Sequence, residues 1–249
     1  MKKKILLMAV ATTLSMADII GGEVSVGYYN HAPSGIAQYN GDTIDVENDL
    51  KWKSQGDIFL KAAIEHPIPI LPNIKVGYTN FGHSGSGTIT NSFQFGGQTF
   101  SADSDIYSSF DIKMYDLTLY YEILDNWVNL DLGLNVKYMD GTILVKGDNL
   151  ITGQLLNETS TFQVPIPMIY AKAQFDVPAT DLSFLAEGNY VSYDGNTLYD
   201  AEVGARYTFM LGLGIEAGYK TMKLKINDID DLSMDTDYSG AYGKIVWDF

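Results

Sequence analysis

Three histidines, His31, His66 and His83, and one arginine, Arg206, are the residues of this chain whose chemistry is least interchangeable. An Asp beside a His can activate water, and a Ser–His pair oriented by a third group can attack a carbonyl. Neither arrangement follows from the spacing here. His83 and Ser84 are only chain neighbours, and His66 sits in a proline-rich turn where a solvated or capping role is ordinary. The segment Asn227 to Asp237 is strongly acidic and offers the oxygen ligands that Ca²⁺ or Mg²⁺ takes. It lacks the Gly and terminal Glu of an EF-hand loop and reads as a solvated outer loop. The chain has no cysteine, which excludes disulfides, thiolate metal sites and a cysteine nucleophile. No catalytic residue, cofactor or metal site is expected.

These side chains ride on a two-residue rhythm. Val128, Leu130, Leu132, Leu134 and Val136 alternate with Asn129, Asp131, Gly133, Asn135 and Lys137. Leu211, Leu213, Ile215, Ala217 and Tyr219 alternate in the same way with Gly212, Gly214, Glu216, Gly218 and Lys220. Alternate side chains of a strand point to opposite faces, so each run has one apolar and one polar face. About ten strands fit, with eight as the alternative, beginning near Gly22, Asp57, Asn73, Ser108, Trp127, Thr161, Asp181, Leu198, Leu211 and Asp237. Short connections alternate with longer ones rich in Gly, Asn, Ser or Asp, and Asp194-Gly195-Asn196 is the one short turn on the long-loop side. The rhythm slips at Met114-Tyr115 and Thr221-Met222, which predicts bulges or strands leaving the apolar layer.

Aromatic residues fall at two levels of these strands, Trp127, Tyr121, Phe175, Phe184, Phe209, Trp247 and Phe249 below, Tyr28, Tyr78, Tyr115, Tyr138, Tyr190 and Tyr219 above. Two girdles around an apolar band are what a bilayer selects. The sequence therefore predicts an all-β, closed, antiparallel transmembrane β-barrel. Lys2 to Lys4, an apolar Ile5–Leu14 core and Ser15-Met16-Ala17 form a signal peptide, residues 1–17, cleaved after Ala17. Residues 18–249 are then the barrel. Loss of the three signal lysines takes the formal charge from −15 to −18, which repels nucleic acid.

The C-terminus places Ile245, Trp247 and Phe249 on the lipid face, and a terminal aromatic strand of this kind resembles the insertion signal of bacterial outer-membrane barrels. Gly21-Gly22-Glu23-Val24-Ser25-Val26-Gly27-Tyr28-Tyr29, Asp49-Leu50-Lys51-Trp52 and Glu65-His66-Pro67-Ile68-Pro69-Ile70-Leu71-Pro72-Asn73 resemble a family of Gram-negative outer-membrane barrels without an assigned activity. The resemblance implies outer-membrane lipid and lipopolysaccharide as surroundings, and periplasmic chaperones and the barrel-assembly machinery as partners. It carries no catalytic residues.

The inward set holds Glu23, Lys61, Glu65, Lys75, Asp116, Glu122, Asp131, Lys137, Lys172, Glu187, Asp200, Glu202, Arg206, Glu216, Lys220, Lys244 and Asp248. Charges in a low-dielectric interior must pair or be wet. A barrel this small is filled by side chains, so the expectation is an ion-paired plug with Asp200, Glu202, Arg206, Glu216 and Lys220 clustered and Arg206 at the hub. The expected role is structural or one of surface interaction through the outer loops. A small-solute channel is the first alternative. The second is a rim enzyme, since omptin-type proteases use Asp and His at the rim of ten-stranded barrels and His31 and His83 lie near the outer strand ends. No omptin motif is present, and a lipid-modifying hydrolase has no Ser–His signature to rest on.

Overall fold

The computed structural model describes residues 21–39, 43–68, 70–148, 153–229 and 232–249. The expected signal peptide and its cleavage at Ala17 lie outside them. The strands in chain order are β1 (Gly21–Tyr39), β2 (Ile44–Asp45), β3 (Gln55–Glu65), β4 (Asn73–Thr88), β5 (Phe93–Phe95), β6 (Gln98–Phe100) and β7 (Asp105–Leu124). They continue as β8 (Val128–Asp148), β9 (Leu155–Asp176), β10 (Leu182–Tyr193), β11 (Asn196–Thr208), β12 (Leu213–Ile229) and β13 (Leu232–Asp248).

Ten of these, all but β2, β5 and β6, form an antiparallel wall in which each long strand pairs with its neighbours in the chain. β13 closes on β1, with Val24 opposite Trp247 and Val26 opposite Ile245. Phe249 and Gly22 exchange backbone hydrogen bonds of 2.8 and 2.9 Å, so the closing seam is paired to the last residue. Turn chemistry explains the two sharpest corners. Asp194 and Gly195 both have positive φ in the two-residue β10–β11 hairpin, the conformation an Asp-Gly pair tolerates. Leu211 and Gly212 take positive φ at the β11–β12 corner.

The outer wall is apolar between the two aromatic levels, where Val26, Ile58, Leu60, Val76, Leu117, Leu119, Leu134, Ile169, Val203 and Ile215 are all exposed. Tyr78, Tyr115 and Tyr138 stand in direct register on three successive wall strands, which builds the upper girdle. Phe184 faces Phe175 at the lower one.

Two expectations change. The ladder runs unbroken past Met114–Met139, Tyr115–Tyr138, Thr221–Ser239 and Met222–Tyr238, and the register shifts lie instead at Glu122/Leu124 and Ile226/Ile229. The rhythm slips at Met114 and Met222 because the interior itself turns apolar there, burying Met114, Met139, Met168 and Met222. The acidic segment after Asn227 is also largely strand rather than loop, since β12 runs to Ile229 and β13 begins at Leu232. Lys223 pairs with Asp235 at 2.7 Å and with Asp237 at 2.9 Å across that hairpin. Above the upper girdle the strands continue as polar ladders, held by backbone hydrogen bonds that need no apolar alternation.

Candidate functional site: the filled lumen

The lower level of the lumen is ionic. Glu202, on β11, receives Lys61 at 2.7 Å and Lys244 at 3.2 Å on one oxygen and Lys220 at 3.3 Å on the other. Lys61 also reaches Glu187 at 3.0 Å, and Lys75 donates to the same carboxylate. Lys137 bridges Asp116 at 2.7 Å and Asp200 at 3.2 Å. Arg206 spans Glu216 and Glu23, each at 2.9 Å, while Glu216 further accepts from Lys244 at 2.9 Å and from the Tyr242 hydroxyl at 2.7 Å.

These residues amount to six cations and six carboxylates, a neutral set within a chain of formal charge −15. The surplus negative charge therefore lies outside the network. The arrangement differs from the sequence expectation in its centre. Arg206 meets Glu216, but Asp200 and Glu202 are taken by lysines from other strands, and Glu202 is the hub. Strand phase identifies which residues face inward, whereas pairing across the lumen depends on how the barrel closes. A cavity of about 120 Å³ lies at the lower mouth among Glu65, Lys75, Glu122, Asp131 and Lys172, room for a few waters.

The upper level is aromatic. Tyr29, His31, Phe81, His83, Phe110 and Tyr238 project inward from β1, β4, β7 and β13 and are almost wholly buried. His31 stacks on Phe81 with ring centres 4.5 Å apart, and His83 stacks on Tyr238 at 5.2 Å. Over them folds the segment between β2 and β3. Asp45 accepts from the backbone of Glu47 at 2.9 Å and Asn48 at 2.8 Å, which turns the chain inward. Those hydrogen bonds, that from the Asn48 backbone first, hold its carboxyl below the ordinary value. Trp52 then stacks on His83 and Phe110 and donates its indole N–H to Ser108 at 2.7 Å. Ile44, Val46 and Leu50 of this segment are buried with Ile89, Phe93, Phe100 and Ile106.

At the centre of this level runs a hydrogen-bonded relay. Asp57 Oδ2 lies 3.0 Å from His31 Nε2, His31 Nδ1 lies 2.9 Å from His83 Nε2, and His83 Nδ1 lies 3.0 Å from the Lys53 carbonyl. A carbonyl only accepts, so His83 Nδ1 carries its proton and Nε2 accepts from His31. The Gly82 N–H donates to the same Asp57 oxygen at 3.1 Å, so the carboxylate is held from the wall as well as by His31. The sequence placed His31 and His83 near the outer strand ends; the structure brings them together, and their acidic partner is Asp57 of β3, the wall strand between β1 and β4. His66 caps its turn, reaching the Pro72 carbonyl at 3.2 Å and accepting from Ile68 N–H at 3.3 Å. Trp52 was visible as part of a recognisable segment, but its inward fold had no signal in alternation.

Ile245, Trp247 and Phe249 stand on the outer face at the closing seam, Trp247 and Phe249 each about half exposed with rings 4.9 Å apart. No protein-family model matches the sequence. No curated protein matches it either. Among solved structures, the outer-membrane protease OmpT of Escherichia coli aligns over 93% of this chain and 97% of its own, with a TM-score of 0.56 at 11% identity. The translocator domain of the autotransporter NalP of Neisseria meningitidis aligns over 91% and 88%, with a TM-score of 0.48 at 12% identity. The fold is that of an outer-membrane barrel. At such identity the likeness concerns fold alone.

Proposed function

We propose that this chain is a Gram-negative outer-membrane barrel that blocks its own lumen and acts at the cell surface through its upper strand ends and loops. The apolar belt between two aromatic girdles supports the membrane setting, because backbone groups in hydrocarbon are satisfied only in helices or closed barrels. We read residues 1–17 as its export signal, and Ile245, Trp247 and Phe249 as the lipid-facing signal for the assembly machinery, with periplasmic chaperones delivering the chain. Lipid and lipopolysaccharide then surround the belt.

The observation that carries the reading is the double filling of the lumen, an ionic network below and an aromatic layer under Trp52 above. Planar-bilayer recording of the refolded protein tests it, with background conductance expected. Steady single-channel currents would replace it with the small-solute channel. One observation favours a rim hydrolase, the Asp57–His31–His83 relay. All four ring nitrogens of that relay are engaged, His83 lies beneath Trp52 and both rings are buried, which supports a structural role. Cleavage of a peptide mixture that disappears in His83→Ala would favour the enzyme.

A further inference from the structure

The wall is notched above β10 and β11. β8 and β9 climb together to Asp148 and Leu155, but β10 accompanies β9 only as far as Tyr190 opposite Ile169. From Leu155 to Met168, β9 has β8 on one edge and no second strand among the described residues. Thr159, Ser160, Thr161, Gln163, Val164 and Pro165 are exposed, on both faces of the strand.

Two prolines show how the sequence manages this edge. Pro165 and Pro167 are paired with Tyr138 and Val136 in an unbroken β8–β9 ladder. A proline has no N–H, so an uninterrupted ladder requires both nitrogens to face away from β8, toward the open side. They occupy the two open-side positions at the level of the upper girdle, next above the last β10 pair at Ile169. There no strand stands to accept an N–H, and the prolines leave none to satisfy. Above the girdle the same parity gives Gln163, Thr161, Thr159 and Asn157, whose N–H groups face the same open side and are retained. Donors are removed where nothing could pair with them and kept where a partner could.

Exposed edges ordinarily carry lysines, prolines or inward charges that discourage pairing. Between Leu155 and Val164 the only charge is Glu158. Phe162 lies over Gly141 of β8, anchoring the arm from its other side. We propose that the open edge of β9, from Asn157 to Gln163, is a docking site for an extended peptide segment of another protein, which adds to the wall as a strand. The proposal deepens the surface-interaction reading and rests on it. Two barrels in one membrane point the same way, so a second copy could set its β9 edge only parallel, the less stable pairing, whereas a free segment can pair antiparallel. Asp140, Asp148 and Glu158 outnumber Lys146 on this arm, so the segment is neutral to basic.

The test uses the folded barrel in detergent micelles and a short blocked peptide of alternating threonine and valine with a lysine at each end. In the free protein the amides of Asn157, Thr159, Thr161 and Gln163 should exchange fast, while those of Glu158, Ser160 and Phe162, facing β8, exchange slowly. Peptide should protect the first set. Thr161→Pro repeats the parity of Pro165 and Pro167, so it should leave the folded barrel intact and weaken peptide binding about tenfold or more. A glutamate-ended peptide should bind more weakly. Slow exchange of the first set in free protein, or unchanged binding by Thr161→Pro, would overturn the docking site. Neither result touches the closed-lumen reading, which stands or falls on conductance.

Discussion

The two levels of the lumen solve one packing problem with opposite chemistry. Below, long cations and carboxylates from strands far apart in sequence fill the space, and each charge is matched because a lone buried one would be costly. Above, rings and methionines fill it, and the histidine nitrogens are consumed in the Asp57–His31–His83–Lys53 relay. The lower level is built from wall residues alone, whereas the upper one needs the Asp45–Trp52 segment to fold in over it. The ionic level should therefore set the stability of the whole barrel, and the aromatic level the order of its mouth.

The largest effect is expected from Glu202→Ala. Three lysines lose a carboxylate, and breaking buried pairs typically costs about 3 to 5 kcal/mol. Arg206→Ala should cost less, since it breaks two close pairs against three. Each variant strands one partner, Glu23 here and Lys220 there, while Glu216 keeps Lys244 and Tyr242 as Lys61 keeps Glu187. Denaturant midpoints of the folded barrel check both, and a reversed order would return the hub to Arg206.

Trp52→Ala should cost less again. It leaves Ser108 without its donor, worth on the order of 1 to 3 kcal/mol, and the loss should be confined to the inward segment. Hydrogen exchange would then quicken at residues 44–54 while exchange in the wall strands stays as slow as before. The variant should still not conduct, because the ionic level remains shut. Currents from Trp52→Ala alone would mean that the lower level is no barrier.

At the lower rim the contrast is between outer and inner faces. Deleting Phe249 should reduce outer-membrane assembly clearly, while Asp248→Ala, which removes only a 4.0 Å contact to Arg206, should have little effect. Equal surface levels would detach Phe249 from insertion.

The smallest effect concerns Asp45. Its carboxyl is held below the ordinary range, so its contribution is present at neutral pH and is lost as pH falls through that lowered value. A single-tryptophan protein retaining Trp52 should show a fluorescence change in acid, below the ordinary carboxylate range, and Asp45→Asn should blunt it. A change that Asp45→Asn leaves intact would detach it from Asp45.

How much of this was legible beforehand depends on whether a feature is local. Strand number, the closing strand, both girdles and the set of inward charges follow from a two-residue period, because a strand's faces are decided by parity alone. The hairpin at Asp194-Gly195 was readable for a similar reason, since its two residues tolerate the backbone it needs. Where parity lost its contrast, at Met114 and Met222, the sequence suggested bulges or strands leaving the apolar layer; the regular ladder removes the bulges, and Tyr115 stands at the girdle where the wall passes into polar ladders. The acidic stretch after Asn227 looked like a loop because polar ladders outside an apolar layer have no alternation to betray them.

Tertiary structure decided the rest. Which lysine meets which carboxylate depends on the closing register that brings β1, β3, β11 and β13 around one axis. Asp57 became the histidine partner because β3 lies between β1 and β4. Trp52 covers the relay because a turn capped by Asp45 sends it inward. Chain parity fixes the side of the wall on which a residue stands, and only closure of the barrel fixes what stands across from it, because contacts through the lumen join residues with no common local period.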